Sequence, residues 1–291
     1  MSNATPDPIA IQNGLKQHRY LADLPLSVAI SCAMDLKRPL LLEGEPGIGK
    51  TALANALANV CGTTLIRLQC HNDLSLEDAS YEWDTAAQLL AVQAGKTDNI
   101  YDREFLLPRP LLRAISEQPA PVLLIDEIDR AEESFEALLL EYLGEWQISI
   151  PQYGTVRAEQ TPMVILTSNG ERSLSDALRR RCLFNHMQFP EDAAVVDIVQ
   201  MHRPELAPKA AQQIQSLVAS LRSKSFEKPP GIAEALDLAA ALSHLGYDFF
   251  DERKVEQIRQ LLPTLVKTTR DWRLVDDATL ADLAWSVSLV R

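Results

Sequence analysis

The chain has 291 residues, of which 46% are hydrophobic and 23% are charged, and its formal net charge at neutral pH is −12. This length allows one large or two modest domains, and the composition is that of an ordinary globular protein in water. The acidic balance repels phosphate backbones, so it disfavours broad nucleic-acid binding but not a local basic groove.

The cysteines and the N-terminus argue against a zinc site and against secretion. The four cysteines contain no pair at CxxC spacing, which suits free thiols in a reducing compartment. The N-terminus "MSNATPDPIA" lacks the basic and apolar segments of a signal peptide. The longest uncharged, apolar-leaning run, residues 24–34, is shorter than the roughly 20 residues that a bilayer span needs. We therefore expect a cytoplasmic protein without membrane insertion.

The first predicted strand, residues 39–43, leads into a glycine-rich loop of the pattern G-x-x-x-x-G-K-[ST]. The loop residues are Gly44, Glu45, Pro46, Gly47, Ile48, Gly49, Lys50 and Thr51. Glycines let backbone N–H groups wrap closely around a phosphate chain. Lys50 adds charge for the β- and γ-phosphates, and Thr51 offers a hydroxyl to Mg²⁺. A plain glycine-rich turn is the alternative, but the strand before and the helix after the loop favour a nucleotide triphosphate site.

Predicted strands at 65–69 and 122–126 follow, and the second ends in two adjacent carboxylates, Asp126 and Glu127. A buried strand delivers Asp126 at its carboxyl end, where metal-bound phosphates are expected. Asp126 is therefore predicted to hold Mg²⁺, directly or through water. Glu127 is then placed to polarise a water for attack on the γ-phosphate. Taken alone, the pair could equally be solvated acids before a helix.

The next segments predict a helix, a hairpin and a fourth strand. The helix begins near Glu132, with one apolar face formed by Phe135, Leu138, Leu139, Tyr142, Leu143 and Trp146. The hairpin covers 147–159 around "QYG". The strand at 164–168 ends at Asn169, which we expect to orient the attacking water or touch the γ-phosphate. The alternative for Asn169 is closure of a turn before Gly170.

Three consecutive arginines at 179–181 stand out in this acidic chain. Such a run is usually solvated surface or a partner for nearby acids. The alternative, which we favour, is an arginine finger supplied to a neighbour's γ-phosphate, because that mechanism needs an exposed arginine.

A fifth strand is predicted at 184–189. After Pro190 the strand signals stop and helical spacing takes over, which predicts a helical subdomain.

These pieces, in this order and spacing, resemble the motifs of the AAA+ ATPases. "GEPGIGKT" is similar to Walker A, "VLLIDEID" to Walker B, "TSN" to sensor 1 and "LRRRC" to the arginine-finger segment. The resemblance implies an α/β fold: a P-loop αβα sandwich with a five-stranded parallel sheet over 1–190 and an all-α lid over 191–291. It implies ATP and Mg²⁺ as cofactors and a homo-hexameric ring with ATP between subunits.

The resemblance also implies roles for the matched residues. Lys50 and Thr51 bind phosphate and Mg²⁺, Asp126 binds Mg²⁺, Glu127 is the catalytic base and Asn169 is sensor 1. Arg181 is the preferred finger, because it precedes Cys182 as in related clamp-loader sequences, and Arg180 is the second choice.

Several features are similar to the MoxR group of this family. They are "LLEGEPGIGKT" after an N-terminal helix, a long stretch before Walker B that implies an insertion at about 71–105, and the hairpin at 147–159. "KPPGIAEALDLAAAL" and "LVKTTRDW" resemble the branch of CoxD, the carbon monoxide dehydrogenase maturation ATPase. This implies a chaperone that remodels or matures a protein client, such as a metalloenzyme, with a von Willebrand factor A domain adaptor.

One departure from the MoxR pattern bears on function. Glu234 stands near the position of the usual sensor 2 arginine, and a carboxylate cannot donate to a γ-phosphate. Two other functions therefore stay open. A nucleic-acid motor or loader would need a basic pore, which the sequence does not show. A nucleotide-gated binding module with little turnover would lack a catalytic residue, whereas Glu127, Asn169 and Arg181 are all present.

Overall fold

The computed structural model describes residues 7–95, 100–251 and 253–290, so residues 96–99 of the predicted insertion lie outside it. The chain divides into two compact units. The first comprises Met1–Gly44 and Lys50–His186, and the second comprises Glu45–Gly49 and Met187–Arg291. The division assigns the centre of the glycine-rich loop to the second unit.

The first unit mixes helices and strands. Its helices are α1 (Pro8–Gln17), α2 (Leu24–Leu36), α3 (Lys50–Cys61), α4 (Leu76–Ser80), α5 (Thr85–Gln93), α6 (Pro110–Ser116), α7 (Glu133–Glu145) and α8 (Asp176–Arg181). Its strands are β1 (Leu40–Gly44), β2 (Leu65–Gln69), β3 (Tyr81–Trp83), β4 (Leu106–Pro108), β5 (Val122–Asp126), β6 (Gln147–Ile150), β7 (Gly154–Arg157), β8 (Met163–Ser168) and β9 (Leu183–Met187). Short 3₁₀ turns cover Arg103–Phe105 and Ile128–Arg130.

Five of these strands form the main sheet in the order β2-β5-β8-β1-β9, and the pairs β2–β5, β5–β8 and β8–β1 are parallel. Every residue of β5 is buried, which explains why its sequence is a continuous apolar run rather than an alternating one. The registers pair Gln69 with Asp126 and Glu43 with Ser168. Carboxyl ends of neighbouring strands therefore meet at one edge of the sheet, and the predicted α/β fold is confirmed.

The predicted elements agree with the structure to within about two residues at their ends, as is usual for sequence-based boundaries. Trp146, predicted on the apolar face of α7, lies one residue past the helix but still packs against the same core, with its ring centroid 5.9 Å from that of Tyr142. The helix ends at Glu145, and Trp146 follows it in the left-handed conformation, with φ 52°. The buried face of α7 consists of Phe135, Glu136, Leu139, Tyr142 and Leu143. Its one acidic member, Glu136, is only 1% exposed.

The segment between β2 and β5 carries a small two-stranded sheet of β3 and β4, which are antiparallel. Helix α5 lies between them in sequence and has no buried residue, since Leu89 and Leu90 are 60% and 66% exposed. The predicted hairpin is present as the antiparallel pair β6 and β7.

The second unit is helical after β9. Its helices are α9 (Asp192–His202), α10 (Pro208–Arg222), α11 (Ile232–His244), α12 (Lys254–Leu265), α13 (Thr269–Arg273) and α14 (Asp277–Ser288). Leu217, Leu238 and Leu283 are fully buried in its core, and burial of each such side chain stabilises the unit by about 1.5–3 kcal/mol. Of the helices in the described part of the chain, none has the length and apolar character to cross a membrane.

Candidate functional site

The predicted phosphate-binding lysine lies in a polar setting at the start of α3. Lys50 is 8% exposed, and its Nζ donates to the carbonyl oxygen of Gly44 at 2.5 Å and to Oδ1 of Asn169 at 2.8 Å. Asn169 follows β8, so two predicted site residues separated by more than a hundred positions meet here. The α3 N-terminus adds backbone N–H groups, which favour an anion at this position.

Asp126 is held from three sides at the end of β5. Its carboxylate accepts a hydrogen bond from Thr167 Oγ1 at 2.5 Å on β8. Arg67 on β2 donates to Oδ2 through Nε at 3.0 Å and through Nη2 at 2.6 Å. Thr51 Oγ1 lies 3.3 Å from both carboxylate oxygens. Asp126 is 4% exposed, so these partners compensate the cost of burying its charge.

Glu127, the next residue, has an unusual backbone conformation, with φ 56° and ψ 50°. A residue with a β-carbon is strained there by about 1–3 kcal/mol, and such residues cluster at functional sites. The turn is supported by the Glu127 N–H, which donates to Thr167 Oγ1 at 2.9 Å. The Glu127 carboxylate remains partly exposed, near Gln69 Nε2 at 3.0 Å and Arg130 Nη1 at 3.2 Å. The turn thus aims two adjacent carboxylates in different directions.

Asp129 supports the same edge of the sheet through the backbone after β8. Its Oδ2 accepts hydrogen bonds from the backbone N–H groups of Asn169 and Glu171, each at 3.0 Å. Asp129 is 4% exposed, and its Oδ1 has no hydrogen-bond partner among the described residues. The side chain therefore fixes the backbone that carries Asn169.

The buried thiol of Cys70 is affected by the negative charges of three acidic residues at this site. Burial raises the pKa of Cys70 to about 12, and the charges of Asp126, Asp129 and Glu127 act in the same direction. The Cys70 N–H donates to the carbonyl oxygen of Asp126 at 2.9 Å. At neutral pH this cysteine is a protonated and unreactive thiol.

The three arginines of α8 differ from one another. Arg179 Nη2 forms an ion pair with Glu43 Oε2 at 2.8 Å, and its guanidinium lies over the Phe184 ring. Arg180 and Arg181 are exposed, and in the described part of the chain neither side chain forms an ion pair. The structure thus separates the two predicted finger residues from Arg179, which pairs with an acid.

Within the second unit, loop residues 45–49 contact the start of α11. The Ala233 N–H donates to the carbonyl oxygen of Gly47 at 3.1 Å, and Gly47 has φ +78°, which favours glycine. Glu234, at the expected sensor 2 position, accepts from the Gly231 N–H at 2.8 Å and so caps its own helix. Arg222 pairs with Glu45 at 2.8 Å.

The chain is similar to several known proteins. The AAA domain family, dynein-related subfamily, matches residues 39–182. Midasin of Giardia intestinalis is 32% identical over 93 residues, which are 28% of this chain and 2% of midasin. Uncharacterized proteins of Staphylococcus aureus strains are 28% identical over 218 residues, covering 70% of this chain and 78% of theirs. In fold, a single-residue variant of RuvB from Thermotoga maritima has a TM-score of 0.50 at 19% identity, covering 86% of this chain and 69% of that one.

Residues 39–182 form an AAA domain of the AAA+ ATPase family. An ATPase of this family hydrolyses ATP with Mg²⁺ as its usual cofactor, and its members typically assemble into rings. The residues of this chain fit the metal, since a hydroxyl and a carboxylate stand side by side at Thr51 and Asp126, and Mg²⁺ prefers such oxygen donors. Neutralisation of phosphate charge is the chemistry that the ion supplies when bound.

The sequence reasoning missed four side chains of this AAA+ site. Arg67 and Gln69 lie two residues apart on β2 and reach Asp126 and Glu127, respectively. Thr167 and Asp129 hold the backbone at the tips of β5 and β8. A signal for the first pair exists, because two polar side chains in the short run "LIRLQ" are unexpected for a strand covered on both faces.

Proposed function

We propose that this chain is the ATPase subunit of a ring-forming, MoxR-type machine that remodels a protein client. The observation that carries the proposal is the arrangement at the end of β5 and β8. Lys50, Thr51, Asp126, Glu127 and Asn169 lie in one hydrogen-bonded region of the first unit, and Glu127 takes a strained conformation there.

In this proposal each residue has one role. Lys50 contacts the β- and γ-phosphates, while Thr51 and Asp126 hold Mg²⁺. The Glu127 carboxylate orients a water and accepts its proton, because it is the less buried of the two acids. Asn169, bonded to Lys50 and fixed by Asp129, orients the γ-phosphate or the attacking water.

The ring is part of the proposal because the site needs a further positive charge. Transition-state charge on the γ-phosphate is commonly stabilised by an arginine from a neighbouring chain. Arg181, with Arg180 as second choice, is exposed and carries no acidic partner in the described residues, so it can serve an adjacent subunit. A homo-hexamer with ATP at each interface is the expected assembly for this family.

The client and the adaptor come from the resemblance to the MoxR group and to its CoxD branch. They are a protein client, such as a metalloenzyme that receives its cofactor, and a partner with a von Willebrand factor A domain. We place this activity in the cytoplasm. A nucleic-acid substrate is disfavoured by the net charge of −12. Helix α5, with Leu89 and Leu90 exposed, is compatible with a protein client.

The proposal is tested by ATP turnover per subunit, measured over a range of protein concentrations with Mg²⁺ and no partner. A rate per subunit that climbs with concentration supports the shared site, and Lys50→Ala should abolish it. A rate that is flat at all concentrations contradicts the ring, and near-zero turnover with tight ATP binding favours a nucleotide-gated binding module. Stimulation by DNA that weakens with salt would favour a nucleic-acid motor instead.

A further inference from the structure

Helix α8, which carries the exposed arginines, is held at its N-terminal end by hydrogen bonds. Ser175 caps the helix, and its backbone N–H donates to Oε2 of Glu136 at 2.9 Å. Glu136 lies on α7, is 1% exposed and also pairs with Arg172 at 2.5 Å. The start of α8 is therefore tied to a buried charge on a longer helix.

The C-terminal end of α8 is held by hydrogen bonds from one side chain outside the helix, that of Arg38. Arg38 donates through Nη2 to the carbonyl oxygens of Arg180 at 2.6 Å and Cys182 at 3.0 Å, and through Nε to that of Arg181 at 3.0 Å. The last carbonyls of a helix lack partners within the helix, and a cation is favourable there. Arg38 thus satisfies three acceptors around the two predicted finger residues.

Arg38 itself lies between α2 and β1, and its backbone is hydrogen-bonded to α2. Its N–H donates to the carbonyl oxygen of Ala33 at the end of α2, and it precedes β1. The adjacent carbonyl of Pro39 accepts from the Leu183 N–H at 2.8 Å. The guanidinium therefore connects the end of α8 to the junction of α2 with the central sheet.

A second contact places the Arg181 side chain. Gly144 lies in the last turn of α7, one residue before the helix ends, and a β-carbon at that position would collide with Nη1 of Arg181 and lie 3.2 Å from its Cζ. Glycine is a weaker helix former than alanine, and here there is a local reason for it. The Arg181 guanidinium occupies the space that a side chain would fill.

We propose that Arg38 and Gly144 are positioning residues for Arg181. Arg38 fixes the backbone of α8 through its terminal carbonyls, and Gly144 leaves the surface on which the guanidinium rests. This proposal rests on the proposed function, in which Arg181 acts on the γ-phosphate held by a neighbouring subunit. An arginine finger stabilises the transition state only when its charge is correctly placed, and a misplacement of about 1 Å costs up to about 100-fold in rate.

The test uses mixtures of full-length subunits, each defective in a different part of the shared site. A Glu127→Gln subunit lacks the base but still offers its arginine, whereas an Arg38→Ala subunit keeps its base and offers a misplaced arginine. We expect Arg38→Ala alone to lose about 10- to 100-fold in turnover. Mixed with Glu127→Gln in equal amounts, it should regain about a quarter of the wild-type rate, since one interface in four pairs an intact base with an intact arginine. ATP affinity, measured with a fluorescent ATP analogue, should stay at the wild-type value.

Three further variants separate positioning from folding. Arg38→Lys keeps the charge but cannot bridge three carbonyls, so we expect a smaller loss, about 2- to 5-fold. Gly144→Ala favours the helix and should not lower the melting temperature, yet it should lower turnover and be rescued by Glu127→Gln subunits. Arg113→Ala removes an exposed ion pair with Glu117 and serves as the matched control with unchanged turnover.

The outcomes are distinguishable. If Arg181→Ala mixed with Glu127→Gln shows no rescue, the neighbour-acting arginine of the proposed function is wrong, and the positioning role falls with it. If that mixture is rescued while Arg38→Ala is not, Arg38 acts in its own subunit, and the positioning proposal alone is overturned. Wild-type turnover in both Arg38→Ala and Gly144→Ala would overturn it equally.

Discussion

The ends of β5 and α8 carry opposite charges and are built in opposite ways. At the end of β5, the Asp126 side chain is enclosed by Arg67, Thr167 and Thr51. At the end of α8, the backbone carbonyls are held by Arg38, while the side chains of Arg180 and Arg181 are exposed. The β5 end is suited to a group bound in its own subunit. The α8 end is suited to a group outside it.

The strongest test of this comparison is Arg181→Ala. Loss of an arginine finger lowers turnover by about 10³-fold or more, whereas an exposed side chain contributes at most about 0.5 kcal/mol to stability. We therefore expect a large drop in kcat with an unchanged melting temperature and unchanged ATP affinity. Arg180→Ala is the matched control, and an equal or greater loss there would reassign the finger.

The Glu127→Gln variant tests the other side of the comparison, the end of β5. Loss of a positioned general base lowers turnover by about 10²- to 10⁴-fold, while Lys50, Thr51 and Asp126 still hold the nucleotide. The variant should retain ATP through gel filtration. Glu171→Gln is its control, because Glu171 is an exposed partner of the same Arg130. Near-normal turnover by Glu127→Gln would remove it as the base.

Thr167→Val tests how much the hydrogen bonds around Asp126 at the end of β5 contribute to stability. The substitution keeps shape and strand propensity but leaves the Glu127 N–H without its partner and removes the shorter of the two hydroxyl contacts to Asp126 Oδ1. We expect the free energy of unfolding to fall by about 1–3 kcal/mol, measured by chemical denaturation. Thr155→Val is the control, because Thr155 is an exposed strand residue of the hairpin, and its effect should stay within about 0.5 kcal/mol. Equal effects would show that the hydrogen bonds of Thr167 contribute nothing.

The smallest expected effect is in thiol reactivity, because each end contains one buried cysteine. Burial raises the pKa of Cys70 and of Cys182 to about 12, and only the thiolate reacts. With a disulfide reagent at about pH 8, we expect the exposed Cys32 to label first, the exposed Cys61 more slowly because partial burial raises its pKa, and the other two only on unfolding. The Arg38 charge lowers the pKa of Cys182, so its loss in Arg38→Ala by itself slows labelling; we expect Cys182 nevertheless to label faster while Cys70 does not, because only the end of α8 loses its hydrogen bonds and becomes accessible. Equal acceleration of both would indicate general loosening.

Much of the candidate site could be predicted from the sequence because its residues lie in short, contiguous motifs. The loop at 44–51 and the acids at 126 and 127 are contiguous, and the strand before each could be predicted from its apolar run. Periodicity does not show where a helix ends, so Trp146 was predicted on the helix although it lies one residue past it; it still packs against the same core as Tyr142.

The sequence alone determined the order of strands and helices along the chain, and it predicts the nucleotide and the reacting side chains, because local spacing and turn chemistry carry that information. Only the tertiary structure decided which other residues hold the predicted site residues in place. Thr167 reaches Asp126 across 41 positions, Arg67 reaches it across 59, and Arg38 reaches Arg181 across 143. The physical reason is the order of the parallel sheet. It places β5 between β2 and β8, and β1 beside β9, and no local pattern in the sequence specifies that order.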